Sequence, residues 1–103
     1  MGWFGNLSRN VCAGQIQRDL LKLVEVANMA DLLIGRTGQV SERLKQSVVE
    51  QQKQLLWDFN GPIELAEVKT RFLDPVLAHP GLSEGARTAV VHVFETAKKM
   101  QAK

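Results

Sequence analysis

Tyrosine is absent from these 103 residues, cysteine appears once, histidine twice and proline three times. Each shortage removes a class of chemistry. A single Cys12 leaves no internal disulfide, so a buried or partner-facing thiol in a reducing compartment is expected. One Cys with two separated histidines, His79 and His92, falls short of a structural zinc pattern, and no metal or other cofactor is expected. No apolar run approaches the ~18 residues of a membrane span. The start lacks a basic region ahead of a long apolar core, which argues against a secretory signal and for a cytoplasmic location. No stretch alternates apolar and polar residues over strand length, so strands are not expected.

Neither charge sign dominates. Thirteen basic against eleven acidic residues give a net charge of +2, with the signs interleaved. Nucleic-acid binders usually concentrate basic residues on one face. The best recognition helix here is the last one, with Arg87, Thr88, Lys98 and Lys99, but Glu95 interrupts its outward side. A nucleic-acid-binding regulator therefore ranks third among the functional readings.

What the chain has is helical periodicity. The content of apolar residues, 45%, suits a soluble globular domain. Gly35, Gly38, Asn60-Gly61-Pro62, Asp74-Pro75 and His79-Pro80-Gly81 punctuate it into four longer segments and one short one. In the first, Ile16, Leu20, Leu23, Ala27, Ala30 and Ile34 recur at spacings of four and three, a seam for another helix. Leu21, Val24, Met29 and Leu32 occupy much of its opposite side, so this helix is central or shared with a second molecule. Gly35 is the expected stop.

The second segment, about Val40 to Phe59, carries Val40, Leu44, Val48, Leu55 and Phe59 on one side, with Ser41 as N-cap. Its Gln-rich tract admits two readings. The glutamines form a solvated face, or Gln51 is a buried amide that fixes register between paired helices. The third segment is expected to start with Pro62 at its first position, with Leu65, Val68 and Phe72 as its stripe. A short turn, PVLA, follows Asp74. The fourth has Ser83 as N-cap and Ala86, Val90, Val93, Phe94, Ala97 and Met100 as a broad apolar side. The expected fold is all-α: a compact bundle of about four main helices with short connections, residues 1–103 forming one domain.

Catalytic groups do not converge in this pattern. His79 at the end of a helical turn is expected to cap carbonyls, and His92 to be solvated among Thr88, Glu95 and Lys99. No Ser, Cys or carboxylate stands at motif spacing around either, so no enzyme, catalytic residue or small-molecule substrate is indicated. GRTGQV lacks the Gly-Lys-Ser/Thr of a phosphate-binding loop and reads as a turn.

Residues 1–13 form an apolar segment that docks on the bundle or on a partner. At ~100° per residue, Trp3, Phe4, Leu7 and Val11 fall within one ~100° arc, out of phase with the seam that follows. If the chain bends at Ala13-Gly14, the aromatics return to the bundle. If one helix runs through, their stripe lies on the side bearing Arg18, Lys22 and Glu25. The leading functional reading is a non-catalytic protein-protein interaction or adaptor protein, self-associating or docking through apolar faces of helices one and two. Its expected contacts are Trp3, Phe4, Leu7, Val11, Leu21, Val24, Leu32 and Gln51. The alternative is a peripheral membrane-surface protein using residues 1–11 as an interfacial helix, although Arg9 is the only basic residue before Arg18.

Overall fold

The computed structural model describes the backbone of residues 2–102 and the side chains of residues 8–102. The chain forms α1 (Gly2–Thr37), α2 (Glu42–Phe59), α3 (Leu65–Val68), a π-helical turn (Lys69–Leu73), α4 (Asp74–Leu77) and α5 (Glu84–Gln101). Among the described residues there is no strand, and the architecture is a small all-α bundle. Helix α1 packs against both α2 and α5, which also pack on each other. At ~1.5 Å per residue its 36 residues account for the long axis of a molecule measuring 53 × 25 × 24 Å.

The core collects the seam residues. Ile16, Leu20, Leu23 and Ala27 of α1 meet Leu55 and Phe59 of α2 and Ala86, Val90, Val93, Phe94 and Ala97 of α5. Ile63, Val68, Phe72 and Leu73 close one end. Phe59 and Phe94 meet edge to face, their ring centres 6.1 Å apart, a geometry that favours aromatic pairs beyond their buried area. The seam fades toward the end of α1: Ala30 is half-buried and Ile34 is 48% exposed. There the helix outruns the elements that would cover it.

The two serine caps form as expected. Ser41 Oγ accepts the Leu44 amide hydrogen at 3.1 Å, and Ser83 Oγ accepts that of Ala86 at 3.2 Å. Helix α5 is tied further at its N-terminus by two α1 side chains. Asn28 Oδ1 accepts the Ser83 amide hydrogen at 3.0 Å, and Asp31 Oδ2 accepts that of Gly85 at 2.7 Å. These satisfy donors that a helix start leaves unpaired and place a carboxylate at its positive end.

Three local expectations are corrected. Gly35 does not end α1, which continues to Thr37. The left-handed residue is Gly38, at φ 75°, and its amide bonds the Ile34 carbonyl at 2.8 Å. The Thr37 hydroxyl carries the helix past Gly35 by donating to the Leu33 carbonyl at 2.8 Å and accepting from the Gln39 amide at 3.2 Å.

Pro62 does not open a helix either; α3 begins at Leu65 with Glu64 as its cap residue. The intervening chain stays irregular while Ile63, 2% exposed, is drawn into the core. The stripe and the PVLA turn are one continuous helical run, joined by the π turn in which the Asp74 amide bonds the Lys69 carbonyl. Pro75 has no amide hydrogen and its ring crowds the carbonyl four residues back, so the wider turn relieves both faults.

Helix α1 runs unbroken through Ala13-Gly14, so the backbone does not turn back there. The contacts expected of Trp3, Phe4 and Leu7 lie outside the described side chains.

Candidate functional site

The outward side of α1 carries four large apolar side chains left near half exposure: Val11, Leu21, Met29 and Leu32. At ~100° per residue they share one ~80° arc of the helix, the arc that also bears Arg18 and Glu25, with Lys22 just beyond its edge. Isolated exposed apolar residues need no explanation, but a row of them along one helix does.

Leu21 is where this row meets a concave surface. Together with Val24 and Asn28 it lines a cleft of about 270 Å³ whose far wall is Pro75, Val76, His79 and Leu82. A second depression of about 270 Å³ adjoins it and shares Leu21, Pro75 and Val76, extending toward Gln17 and Arg71. The groove thus lies between α1 and the α4 turn. Pro75 and the π turn build its wall by setting α4 beside α1. Val24 is half-buried and forms part of the floor, whereas Leu21, 55% exposed, stands at the junction of the two depressions.

The two histidines lie in different elements. His79 does not cap carbonyls: its Nδ1 accepts the Gly81 amide hydrogen at 2.9 Å, tightening the turn at the rim of the groove. The tight turn presents an amide two residues on, within reach of the ring, rather than a free carbonyl. His92 is exposed on α5. Among the described residues no three His, Cys, Asp or Glu side chains are grouped to hold a metal ion.

A further cleft, of about 380 Å³, lies where the first part of α1 meets the end of α2. It is lined by Ser8, Val11, Cys12, Gln15, Trp57, Asp58, Gly61 and Pro62. Trp57 stands 78% exposed at this cleft. The Cys12 thiol is buried, 3.5 Å from the Asp58 carbonyl to which it donates, and burial pushes its pKa up from the ordinary thiol value. A thiol so placed is a poor nucleophile.

Asp58, on the wall of this cleft, and Asp19 are each 3% exposed. Burial, followed by the closeness of the Asp19 carboxyl, pushes the Asp58 carboxyl up to about 7, against a smaller opposing effect of Arg18. Neither residue stood out in the sequence. The available signal was position: Asp58 falls between Leu55 and Phe59 on the apolar stripe of α2, and Asp19 adjoins the seam residues Ile16, Leu20 and Leu23.

The expected contacts therefore separate. Leu21 and Val24 share the groove, Val11 lies ten residues away beside Trp57, and Leu32 is eleven residues further along than Leu21, roughly 16 Å. Gln51 is half-buried with its side-chain oxygen unpaired. The amide that ties α2 to α5 is its neighbour Gln52, which donates to the Ala89 carbonyl at 3.2 Å. Among the described residues, no helix is long and apolar enough to cross a membrane. No family model matches the chain, and neither a curated protein nor a solved structure matches it.

Proposed function

We propose that this chain is a small non-catalytic interaction protein that self-associates through the outward side of α1, with the groove at Leu21 as the centre of contact. The observation that supports it most is Leu21 itself: a large apolar side chain, 55% exposed, between two adjoining depressions walled by Pro75 and Val76. Leaving such a surface in water forgoes roughly 25 cal/mol for each Å² that a partner would cover. Met29 and Leu32 extend the apolar row along the same helix. Recognition of this kind places apolar anchors of one helix in the groove of another.

Dilution tests the reading. Amide resonances of Gln17 to Leu32 and of Pro75's neighbours, Asp74 and Val76, should shift with concentration, while those of α5 stay fixed. Spectra unchanged over the whole range would remove self-association at this face.

A further inference from the structure

Buried carboxylates are normally paired with cations or with several hydrogen-bond donors. Asp58 is not, and Asp19 only through one oxygen. Of their four carboxylate oxygens, Asp19 Oδ2 and both of Asp58 are buried with no partner. The fourth, Asp19 Oδ1, accepts from Arg18 Nε at 3.3 Å, and the Arg18 side chain is itself 57% exposed. From α1 the groups acting on this position are Cys12, Arg18 and Asp19. The turn after α2 contributes Gly61, Pro62 and Ile63, none of them charged. Helix α5 presents Val93, Phe94 and Ala97 to the core, while its Lys98 is paired with Glu95 at 3.7 Å. Gln101 spends its amide on the Phe59 carbonyl and on Asn60 Oδ1.

Two ionised carboxylates cannot remain together in such a place, because little solvent screens their repulsion and one cation serves only the nearer of them. A single proton between them removes the conflict. The protonated acid donates to the other carboxylate, which gives a partner to oxygens that otherwise have none.

We propose that Asp19 and Asp58 hold one proton between them as a latch on the α1–α2 junction, and that losing it loosens this end of the bundle and opens the cleft beside Trp57. The packing there is tight enough to register the change. Cys12 bonds the Asp58 carbonyl, and a Cβ added at Gly61 would lie 2.9 Å from Cys12 Sγ and 3.1 Å from the same carbonyl. Carboxylates driven apart would part Cys12 from Asp58 and lift Gly61, whose amide bonds the Asp58 carbonyl at 3.1 Å. Those residues line the cleft, so its width follows the protonation state. The latch is independent of the groove at Leu21 and stands whether or not the protein self-associates.

Native-state hydrogen exchange on the full chain tests the latch, with rates corrected for the intrinsic pH dependence of exchange. As pH rises from the ordinary carboxylate range to the titration of the pair, protection of the amides from Trp57 to Ile63 should fall by up to about tenfold per pH unit, the dependence for release of one proton on opening, and then level off. Protection of Val90 and Val93 in α5 should hold. Asp58→Asn, an uncharged isostere, should keep its protection at all pH values, and Asp19→Asn should do the same if the first variant folds poorly. Carboxyl ¹³C titration of the unaltered protein gives an independent reading, with one aspartate titrating well above the rest. Protection that is flat with pH across that window, protection that falls equally in α5, or aspartates that all titrate as ordinary carboxylates would each overturn the proposal.

Discussion

The Asp31 carboxylate of α1 sits so close to Gly85 of α5 that a Cβ on Gly85 would fall within 2.5 Å of both of its oxygens. The same carboxylate accepts the Gly85 amide hydrogen at 2.7 Å. A side chain at Gly85 would have to turn the Asp31 carboxylate away from this amide. Gly85→Ala should therefore destabilise the protein by about 1 kcal/mol or less, the cost of the lost cap less the gain in helix propensity. Asp31→Ala should cost about 1 kcal/mol, the usual value of a helix cap. Combined, the two should not add. With the carboxylate gone, Gly85→Ala has room and gains helix propensity, so its effect should turn neutral or favourable. Denaturant midpoints of the four proteins in this cycle provide the check.

Core truncations should sort by depth. Phe59, fully buried against Phe94, should cost about 3–5 kcal/mol as Phe59→Ala. Trp57→Ala, two residues earlier and 78% exposed, should change stability by no more than about 0.5 kcal/mol. A thermal melt of each variant measures the difference. Equal losses would contradict the burial of Phe59 and the exposure of Trp57.

The pH dependence of stability should have two limbs of opposite sign. Asp58 has a folded-state pKa of about 7 against an ordinary 3.8. Its contribution is complete below 3.8 and is lost as pH rises through about 7. Glu67 is the reverse case. Its hydrogen bond from Arg9, at 2.7 Å, holds its carboxyl below the ordinary 4.5, with Arg71 assisting from 3.3 Å. That contribution is present above 4.5 and fades as pH falls through the lowered value. Since these side chains are more than a third exposed, salt should weaken the second limb. Glu67→Gln should remove the acid limb alone, and Asp58→Asn the alkaline limb alone, in urea midpoints measured across pH.

Much of the fold was legible because its signals are local and repeated. The spacing of Ile16, Leu20, Leu23 and Ala27 identifies the buried side of α1, and Ser41 and Ser83 mark helix starts through hydroxyls that accept amide hydrogens. Local signals mislead where a distant element decides the outcome. Ile34 belongs to the seam by spacing, yet α1 runs past the helices that would bury it. Gly35 and Pro62 are ordinary boundary signals, overridden by the Thr37 hydroxyl and by the burial of Ile63. The groove was half visible: Leu21 and Val24 stand out by periodicity, but Pro75, Val76 and Leu82 join them only through the π turn. Asp19 and Asp58 are 39 positions apart, and nothing in either neighbourhood says that the two side chains meet.

Sedimentation equilibrium of the unaltered protein beside Leu21→Glu tests the interaction reading most directly. The substitution sets a charge between the two depressions on a side chain already 55% exposed, so stability should change by about 0.5 kcal/mol or less. The unaltered protein should show a mass rising with concentration over tens of micromolar, roughly −6 to −7 kcal/mol of association. Leu21→Glu should remain at the monomer mass of 11.5 kDa with an unchanged melt. A monomer mass for both proteins across that range, or an association that Leu21→Glu leaves intact, would contradict the account.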